Sequence, residues 1–292
     1  MFRRVAIIGL GLIGGSIGLA LHKAKAAQHI AGFDLGVGVC AHARKLGVID
    51  QPCSSLADAV QEADLVILAT PVGAMRALLQ NISGLLAPGA VVTDVASTKA
   101  QVITWAEEFL PEGVSFVGGH PMAGKELSGV AASDADLFRQ RIYCVTPTPR
   151  TNSIAIGKIT SLVEILGARL RFLEPAEHDG LVASVSHLPF LASIALMEAV
   201  ADSPTWGDAS LLASTGFRDV TRLAAGSPEM YRDICLTNSE AITRWLDEYI
   251  ITLQQLRTRI AVRDKTIGEL FTHSQQARQQ WSPPHNGQDC PT

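Results

Sequence analysis

A histidine flanked by glycines and a proline is the side chain best suited to acid/base chemistry in this sequence of 292 residues. His120 follows Gly118 and Gly119, which end a short apolar run, and it precedes Pro121. Imidazole transfers protons near neutral pH, and the flanking residues restrict the backbone around it. We therefore predict that His120 is a catalytic proton acceptor; the alternative is a solvated or structural loop histidine.

A serine hydroxyl lies at a second point where an apolar run ends. Ser97 belongs to the segment DVASTK, which closes one predicted strand and opens a helix. Ser97 either presents its hydroxyl to a substrate crevice or, like Thr98, caps the helix. We expect Lys99, in the same segment, to face the surface or a phosphate rather than to act in catalysis.

Two histidines further along the chain compete for one functional role. His178 and His187 are nine residues apart, so a continuous helix would place them on opposite faces. Pro189 would kink this helix and free a carbonyl next to His187. This favours His187 as the functional histidine, with a purely structural role as the alternative.

Two arginines are candidates for binding a carboxylate. Arg218 and Arg222 lie four residues apart, a spacing that places both guanidinium groups on one side of a helix. They either bind a substrate carboxylate or form a solvated pair that is neutralised by Asp219.

A glycine-rich turn is the element around which the first part of the chain is organised. An apolar run from Val5 to Ile8 meets the motif GLGLIG, and a helical pattern follows through Leu21. Glycines in such a turn let the backbone approach a pyrophosphate, and the free N–H groups of the helix start bind its charge. The predicted cofactor contacts are Gly9, Gly11, Leu12, Ile13 and Gly14.

Asp34 ends the second predicted strand, 20 residues after Gly14. A carboxylate at this place accepts hydrogen bonds from the ribose hydroxyls of NAD and repels the 2′-phosphate of NADP. We therefore predict NAD as the cofactor, although Arg44 and Lys45 are placed to reverse this preference. A glycine-rich turn in some other α/β protein is the alternative.

Further strands predict an α/β fold with a Rossmann-type doubly wound parallel sheet. They are expected over residues 64–70, 91–95, 114–119, 142–146 and 169–173. Ligands bind outside the carboxyl ends of such strands, so Thr70 and Pro71 should also face the crevice and contact the cofactor.

The second half of the chain is predicted to be helical. We expect a cofactor-binding domain over 1–174, an all-α domain over 175–272 and a disordered tail over 273–292. The helices carry more apolar surface than a short bundle hides, which predicts a homodimer through this domain.

Composition excludes several classes of protein. A net charge of −4 gives no reason to expect nucleic acid or an anionic membrane as a partner. No apolar run was expected to reach the roughly 20 residues that span a bilayer. The 5 cysteines form no CxxC pair, and the chain begins in a strand rather than a signal peptide, so we expect a reduced, cytoplasmic protein without a metal.

Several blocks together resemble the prephenate and arogenate dehydrogenases of tyrosine biosynthesis. They are GLGLIGGS with Asp34, DVASTK, GGHPMAG, HDGLVASVSHLP and GFRDVTRLAAGSPEMYRDI. The resemblance implies NAD(P)-dependent oxidation and decarboxylation of prephenate or arogenate by a dimer. It also implies that His120 accepts the proton of the ring hydroxyl with Ser97 as its hydrogen-bonding partner, and that His187 and Arg222 contact the substrate.

The sequence departs from the family at one position and leaves other functions open. The family often reads SHLPH, where this chain has Phe190, so the choice between prephenate and arogenate is open. A 3-hydroxyacid dehydrogenase would carry a catalytic lysine in the helical domain, and Lys265 is the only lysine between Pro175 and Thr266. A non-catalytic NAD sensor would keep the glycines and Asp34 without needing His120.

Overall fold

The computed structural model describes residues 1–281 apart from 126 and 149. The chain divides into two compact units, residues 1–239 and residues 240–292. The first unit contains a sheet with helices on both faces and a further group of helices. The second unit contains, in its described part, two long helices.

A single eight-stranded sheet forms the centre of the first unit, with strand order β3-β2-β1-β4-β5-β6-β7-β8. The strands are β1 (Phe2–Ile8), β2 (Ala27–Phe33), β3 (Gln51–Pro52), β4 (Leu65–Leu68), β5 (Val91–Asp94), β6 (Ser115–Pro121), β7 (Ile142–Thr146) and β8 (Arg169–Phe172). The order from β3 to β6 is that of a doubly wound dinucleotide-binding fold. The predicted fold class is confirmed.

The sheet is mixed rather than wholly parallel. Strands β1 to β6 pair in parallel, but β7 runs antiparallel to β6, with His120 opposite Cys144. The described residues between β6 and β7 form no α-helix, and an antiparallel neighbour needs no helical crossover. Strand β8 then pairs in parallel with β7 after α6.

Helices account for most of the remaining structure. They are α1 (Leu12–Lys23), α2 (Val39–Lys45), α3 (Leu56–Val60), α4 (Met75–Ile82), α5 (Ala100–Phe109), α6 (Ser153–Ile165), α7 (Pro175–Val182), α8 (Leu188–Ala201), α9 (Trp206–Leu212), α10 (Thr215–Thr221), α11 (Pro228–Thr237), α12 (Ser239–Ala261) and α13 (Ile267–Gln280). The absence of strands beyond Pro175 within the described residues agrees with the expected helical domain.

Two hydrophobic clusters lie on opposite faces of the sheet. Alternate residues of β1 belong to different clusters: Val5 and Ile7 face α1 and α6, whereas Ala6 and Ile8 face α3, α4 and α5. This is the period of two that a strand imposes on its side chains. Because both faces are covered, residues 5–8 of β1 and the whole of β4 are continuous apolar runs.

The stretch Pro175–Ala201 differs from the continuous kinked helix expected. Helix α7 passes into a π-helical segment, Ala183–His187, before α8 begins with Pro189 in its first turn. Proline is tolerated there because the first N–H groups of a helix have no intrahelical acceptor. The irregularity therefore lies before Pro189 rather than at it.

The same stretch is also more apolar than expected. Pro175–Ala201 is long enough, at 27 residues, to cross a membrane, and an 18-residue window within it is apolar enough, with a mean hydropathy of 1.7. The expectation that no run approaches bilayer length was therefore wrong for this helix. Only 28% of its window is buried within the chain, and an apolar helix covered by another protomer has the same composition.

The end of the chain differs in part from the predicted tail. Helix α13 continues to Gln280, so residues 273–280 are helical rather than disordered. Residues 282–292 lie outside the described part of the chain. The domain boundary at residue 174 stays a prediction, because the helices up to Thr237 belong to the same compact unit as the sheet.

Candidate active site

The glycine-rich turn has the geometry that a bound pyrophosphate requires. Gly9 has φ +93°, and a Cβ atom there would lie 2.5 Å from the carbonyl oxygen of Ala69. A Cβ on Gly14 would clash with the carbonyl oxygen of Gly9. Gly11, by contrast, faces open space at the start of α1. Two glycines thus let the chain close tightly, and the third leaves room for a ligand at the helix N-terminus.

Asp34 lies against this turn, at the end of β2. Its carboxylate accepts hydrogen bonds from the backbone N–H of Leu10 at 2.7 Å and of Gly36 at 2.8 Å. Arg44 and Lys45 are in the last turn of α2, roughly 9 Å along the helix from its start. The glycine turn and Asp34 together form the candidate NAD site, in which two backbone hydrogen bonds hold the carboxylate of Asp34 against the turn.

Thr70 and Pro71 follow β4, next to β1 in the sheet. Thr70 is half-buried and Pro71 is exposed. Behind them, the backbone N–H of Gly73 donates to the buried carboxylate of Asp233 on α11, at 3.2 Å. The loop expected to contact the cofactor is thus tied to the helical part of the same unit.

Lys99 is fully buried, contrary to its predicted place at the surface. Its ammonium group forms an ion pair with Asp94 and donates to the carbonyl of Gly119 at 2.7 Å. Asp94 in turn accepts the N–H groups of Ala96 and Gly119, each at 3.0 Å. The ion pair therefore fixes the backbone of β6 at Gly119, one residue before His120.

The N-terminus of α5 is capped from outside its own segment. Neither Ser97 nor Thr98 caps it; Asp179 on α7 accepts the N–H of Lys99 at 2.7 Å and of Ala100 at 2.9 Å. The capping alternative for Ser97 and Thr98 is therefore wrong. A carboxylate is well suited to this place because it meets the partial positive charge of the helix N-terminus.

His120 is almost fully buried, and it contacts His178. Its Nδ1 lies 2.9 Å from Nε2 of His178, whose Nδ1 lies 2.8 Å from Oδ1 of Asp179. His178 is 0% exposed. Burial is the main reason that the pKa of His120 lies well below its ordinary value, and the nearby histidines and Lys99 lower it further.

Both histidines of the HDGLVASVSHLP segment approach the same site, contrary to the expectation that only one of them would. The helical-wheel argument assumed a regular α-helix between His178 and His187, but the π-helical segment winds through fewer degrees per residue. His178 contacts His120 directly, and His187 contacts Asn238, which also binds the carbonyl of Asp179 next to His178. The premise that only one of the two histidines can approach the site was therefore wrong, and the functional role of His187 stays a prediction.

His187 is held by a buried amide. Asn238 donates one N–H to the carbonyl of Asp179 at 2.9 Å, and its other N–H is 3.3 Å from Nδ1 of His187. The proton of neutral His187 is therefore assigned to Nε2. Burial lowers the pKa of His187 to about 4, so the ring is neutral near pH 7.

Phe190 packs between His187 and Tyr231. Its ring is 6.0 Å from that of His187 and stacks on Tyr231 at 4.0 Å. Tyr231 donates its hydroxyl to the carbonyl of Leu223 and lies within range of the charge of Arg222, which opposes the rise that burial causes in its pKa. One face of Phe190 is thus covered, and Arg222 lies close to the same aromatic group.

The remaining predicted site residues lie at the periphery. Arg218 is exposed and pairs with Asp219 at 3.2 Å, the contact expected of a solvated pair. Ser97 is half-buried in the turn between β5 and α5, and its hydroxyl has no hydrogen-bond partner among the described residues. The Nδ1 atom of His120 is occupied by His178 rather than by Ser97.

Sequence reasoning missed three side chains at this site. Asp179 and Asn238 were not considered, and His178 was set aside. The adjacent His and Asp of the segment HDGLV were a usable signal, because a carboxylate beside a histidine commonly orients the ring.

The chain matches family models over most of its length. Residues 17–172 match the prephenate dehydrogenase nucleotide-binding domain, and residues 174–276 match the prephenate dehydrogenase dimerization domain. It is 38% identical over 263 residues to the prephenate dehydrogenase of Bacillus subtilis, covering 89% of this chain and 71% of the relative.

Two solved structures share the fold. Prephenate dehydrogenase from A. aeolicus, in complex with hydroxyphenyl propionate and NAD+, superposes with a TM-score of 0.89 at 30% identity and covers 96% of this chain and 98% of its own. Synechocystis arogenate dehydrogenase gives a TM-score of 0.82 at 31% identity, over 96% of this chain and 100% of its own. With the glycine turn and Asp34 in place, these matches show that the chain belongs to the prephenate dehydrogenase family and is an NAD-dependent oxidoreductase.

Proposed function

We propose that this protein oxidises prephenate with NAD, releasing carbon dioxide and 4-hydroxyphenylpyruvate in tyrosine biosynthesis. The observation that carries the proposal is the placement of His120. It is the next-to-last residue of β6, which runs parallel to β1 in the same sheet, so it lies at the sheet edge where β1 leads into the glycine turn. Its Nδ1 is held by His178. Its Nε2 has no hydrogen-bond partner among the described residues, so it is the ring atom available to a substrate hydroxyl.

The chain supplies a base and a way to position the reacting groups. Because burial keeps the pKa of His120 low, the ring is neutral at pH 7 and ready to accept a proton. NAD, when bound, supplies the acceptor for the hydride. Ser97, in the turn after β5, is proposed to hydrogen-bond the same hydroxyl and orient it. Loss of the ring carboxylate gives an aromatic product, which drives the reaction.

Cofactor binding is assigned to the residues around the glycine turn. We propose that the free N–H groups at the start of α1 bind the pyrophosphate and that Asp34 binds the ribose. Thr70 and Pro71 would border the nicotinamide end of the site. The contacts proposed for this role are Gly9, Gly11, Leu12, Ile13, Gly14, Asp34, Thr70 and Pro71.

Substrate binding is assigned to groups on the helical part of the unit. Arg222 is proposed to bind a carboxylate, and His187 to donate from Nε2 to the substrate. Arg218 is given the lesser role because Asp219 already neutralises it.

Arogenate is the second candidate substrate. It carries an ammonium group where prephenate has a keto group, and a neutral His187 does not repel that charge. The similarity to an arogenate dehydrogenase supports this alternative. Phe190 contributes less to the attraction of an ammonium group than expected, because its stacking on Tyr231 covers one face of the ring.

A homodimer in the cytoplasm is the proposed working form. The helices of the first unit expose large apolar side chains that a partner would cover, namely Leu181, Val185, Leu211, Leu212, Val220 and Leu236. The match to a dimerization domain supports a second copy of this chain as that partner. The thiols of the described cysteines are free, as in a reducing compartment.

The test is to mix the purified protein with NAD and either prephenate or arogenate and to follow NADH absorbance. Chromatography of the products distinguishes 4-hydroxyphenylpyruvate from tyrosine. His120→Asn should bind NAD normally and lower kcat by roughly 10²- to 10⁴-fold, the range of a positioned acid/base group. Oxidation of neither substrate by the wild type would refute the function, and an unchanged kcat in His120→Asn would refute the role of His120.

A further inference from the structure

Two side chains that the proposed reaction does not touch are aligned behind the base. His120, His178 and Asp179 form a chain of hydrogen bonds of 2.9 and 2.8 Å, and both residues behind His120 are buried. We propose that His178 and Asp179 are positioning residues that fix the tautomer of His120, so that its Nε2 carries the lone pair that accepts the substrate proton. This inference rests on the proposed function of His120.

The direction of the hydrogen bonds follows from Asp179. Both of its carboxylate oxygens accept backbone N–H groups at the start of α5, where the helix dipole stabilises a negative charge. An ionised carboxylate can only accept hydrogen bonds, so the atom of His178 that contacts it must be a donor. Nδ1 of His178 therefore carries the proton of that ring. Nε2 of neutral His178 is then an acceptor, and Nδ1 of His120 must be the N–H that donates to it.

These hydrogen bonds determine which nitrogen of each ring carries a proton before and after the reaction. Neutral His120 has its proton on Nδ1 and a lone pair on Nε2, toward the crevice. When the substrate hydroxyl gives up its proton, Nε2 becomes N–H and the ring becomes a cation. That cation still donates Nδ1–H to His178, whose other nitrogen donates to the carboxylate of Asp179. The carboxylate thus stabilises the cation through one intervening ring without itself becoming protonated.

The other charged groups near His120 make this arrangement necessary. Burial disfavours a positive charge on His120 most strongly, and a charged His178, Lys99 and His187 add to this effect. A neutral His178 that accepts a hydrogen bond from Nδ1 of His120 does not contribute this repulsion. Asp94 is already committed to Lys99 and the backbone N–H of Gly119, and Cys144 faces His120 from β7. Among the described residues that contact His120 through hydrogen bonds, His178 alone leads to a carboxylate that is not paired with an ammonium or guanidinium group.

The first test compares two substitutions of His178 in the full-length protein. His178→Gln offers an amide oxygen that accepts Nδ1–H of His120, whereas His178→Phe offers no acceptor. We expect kcat to fall by roughly 10²- to 10³-fold in His178→Phe and by less than about 10-fold in His178→Gln, with KM changed little. Equal losses in the two variants would overturn the inference, because packing alone would then explain the role of His178.

The pH profile of kcat distinguishes a positioning role of His178 from a role as a positive charge that repels the cation of His120. In His178→Phe, no hydrogen bonds connect the cation of His120 to the carboxylate of Asp179, so the cation is less stable and the pKa of His120 is lower. The acid limb of the pH profile of kcat should therefore move to lower pH. A limb that moves to higher pH would show that His178 acts as a repelling charge, which contradicts the proposal.

Asp179 needs a control for its role as a helix cap. Asp179→Ala removes the acceptor of Nδ1–H of His178, so nothing holds the proton of His178 on Nδ1 or the proton of His120 on its own Nδ1. We expect a kcat loss similar to that of His178→Phe. Asn152→Ala removes the cap of α6, where Asn152 accepts the N–H of Ala155, and should lower Tm without changing kcat. An Asp179→Ala variant that lost only thermal stability would show that Asp179 acts only as a helix cap, which contradicts the proposal.

Nitrogen NMR of the imidazole rings decides the tautomer without an activity assay. In the wild type, the spectrum of His120 should show a protonated Nδ1 and an unprotonated Nε2 near neutral pH. A proton on Nε2 would overturn the inference even in an active enzyme. A wild type that has the expected tautomer but oxidises neither substrate would instead refute the proposed function and leave the positioning intact.

Discussion

Replacing Lys99 with methionine removes the positive charge of a buried ion pair and keeps most of the apolar length of the side chain. Lys99 and Asp94 are both 0% exposed. In Lys99→Met, the carboxylate of Asp94 keeps two backbone donors but loses its counter-charge, and the carbonyl of Gly119 loses its donor. Breaking a buried pair in this way costs about 3–5 kcal/mol, a large share of the ~5–15 kcal/mol that stabilises a typical domain.

Urea unfolding, followed by circular dichroism at a fixed protein concentration, measures this cost. Lys158→Met is the matched control, because Lys158 also pairs with an aspartate, Asp64, but at 3.8 Å and with about a quarter of each side chain exposed. We expect it to cost about 1 kcal/mol or less. Asp94→Asn combined with Lys99→Met should cost less than the sum of the single substitutions. A Lys99→Met variant no less stable than Lys158→Met would refute the reasoning.

Other expected outcomes concern the cofactor, the substrate, the response to acid and the oligomer. NAD should give a kcat/KM at least about tenfold above that of NADP, or ~1.4 kcal/mol, and Asp34→Ala should narrow the ratio; a preference for NADP would contradict the role of Asp34. Arg222→Ala should raise KM for prephenate by about tenfold or more, as expected for a lost hydrogen bond to a charged group, and Arg218→Ala by much less; equal effects would remove the distinction. The pKa of His187 falls from 6.5 to about 4 on folding, so the unfolded state takes up the proton first. The free energy of unfolding should therefore be highest above pH 6.5 and fall by about 3 kcal/mol as the pH is lowered to 4. Urea titrations at several pH values measure this change, which should be smaller in His187→Gln. Light scattering should give twice the 31.1 kDa mass of one chain, and a monomer at micromolar concentration would contradict the dimer.

The cofactor half of the site could be predicted from the sequence because its determinants are local. A positive φ at Gly9 and the close approach at Gly14 depend on residues within one turn, and Asp34 follows from its place at the end of the next strand. The alternation of apolar runs and helical patterns likewise identified the sheet. Each of these features is set by backbone conformation over a short stretch of chain.

His120 was predicted for the same reason, because its neighbours in the sequence fix its backbone. Its partner was not. His178 reaches His120 only because a π-helical segment changes the rotation between α7 and α8, and no pattern of residue types marks that segment.

Burial of charge was decided by the tertiary structure alone. Lys99 is the first charged residue of a helix start, where exposure is the usual outcome, but α5 packs so that its ammonium meets Asp94 from the neighbouring strand end. Asp179 lies 80 residues from Lys99 in the sequence and yet supplies the cap that Ser97 and Thr98 do not. Composition and spacing decide which elements form, whereas the partner of a buried polar group depends on which distant element packs against it, because each such group must find an acceptor or donor wherever the fold provides one.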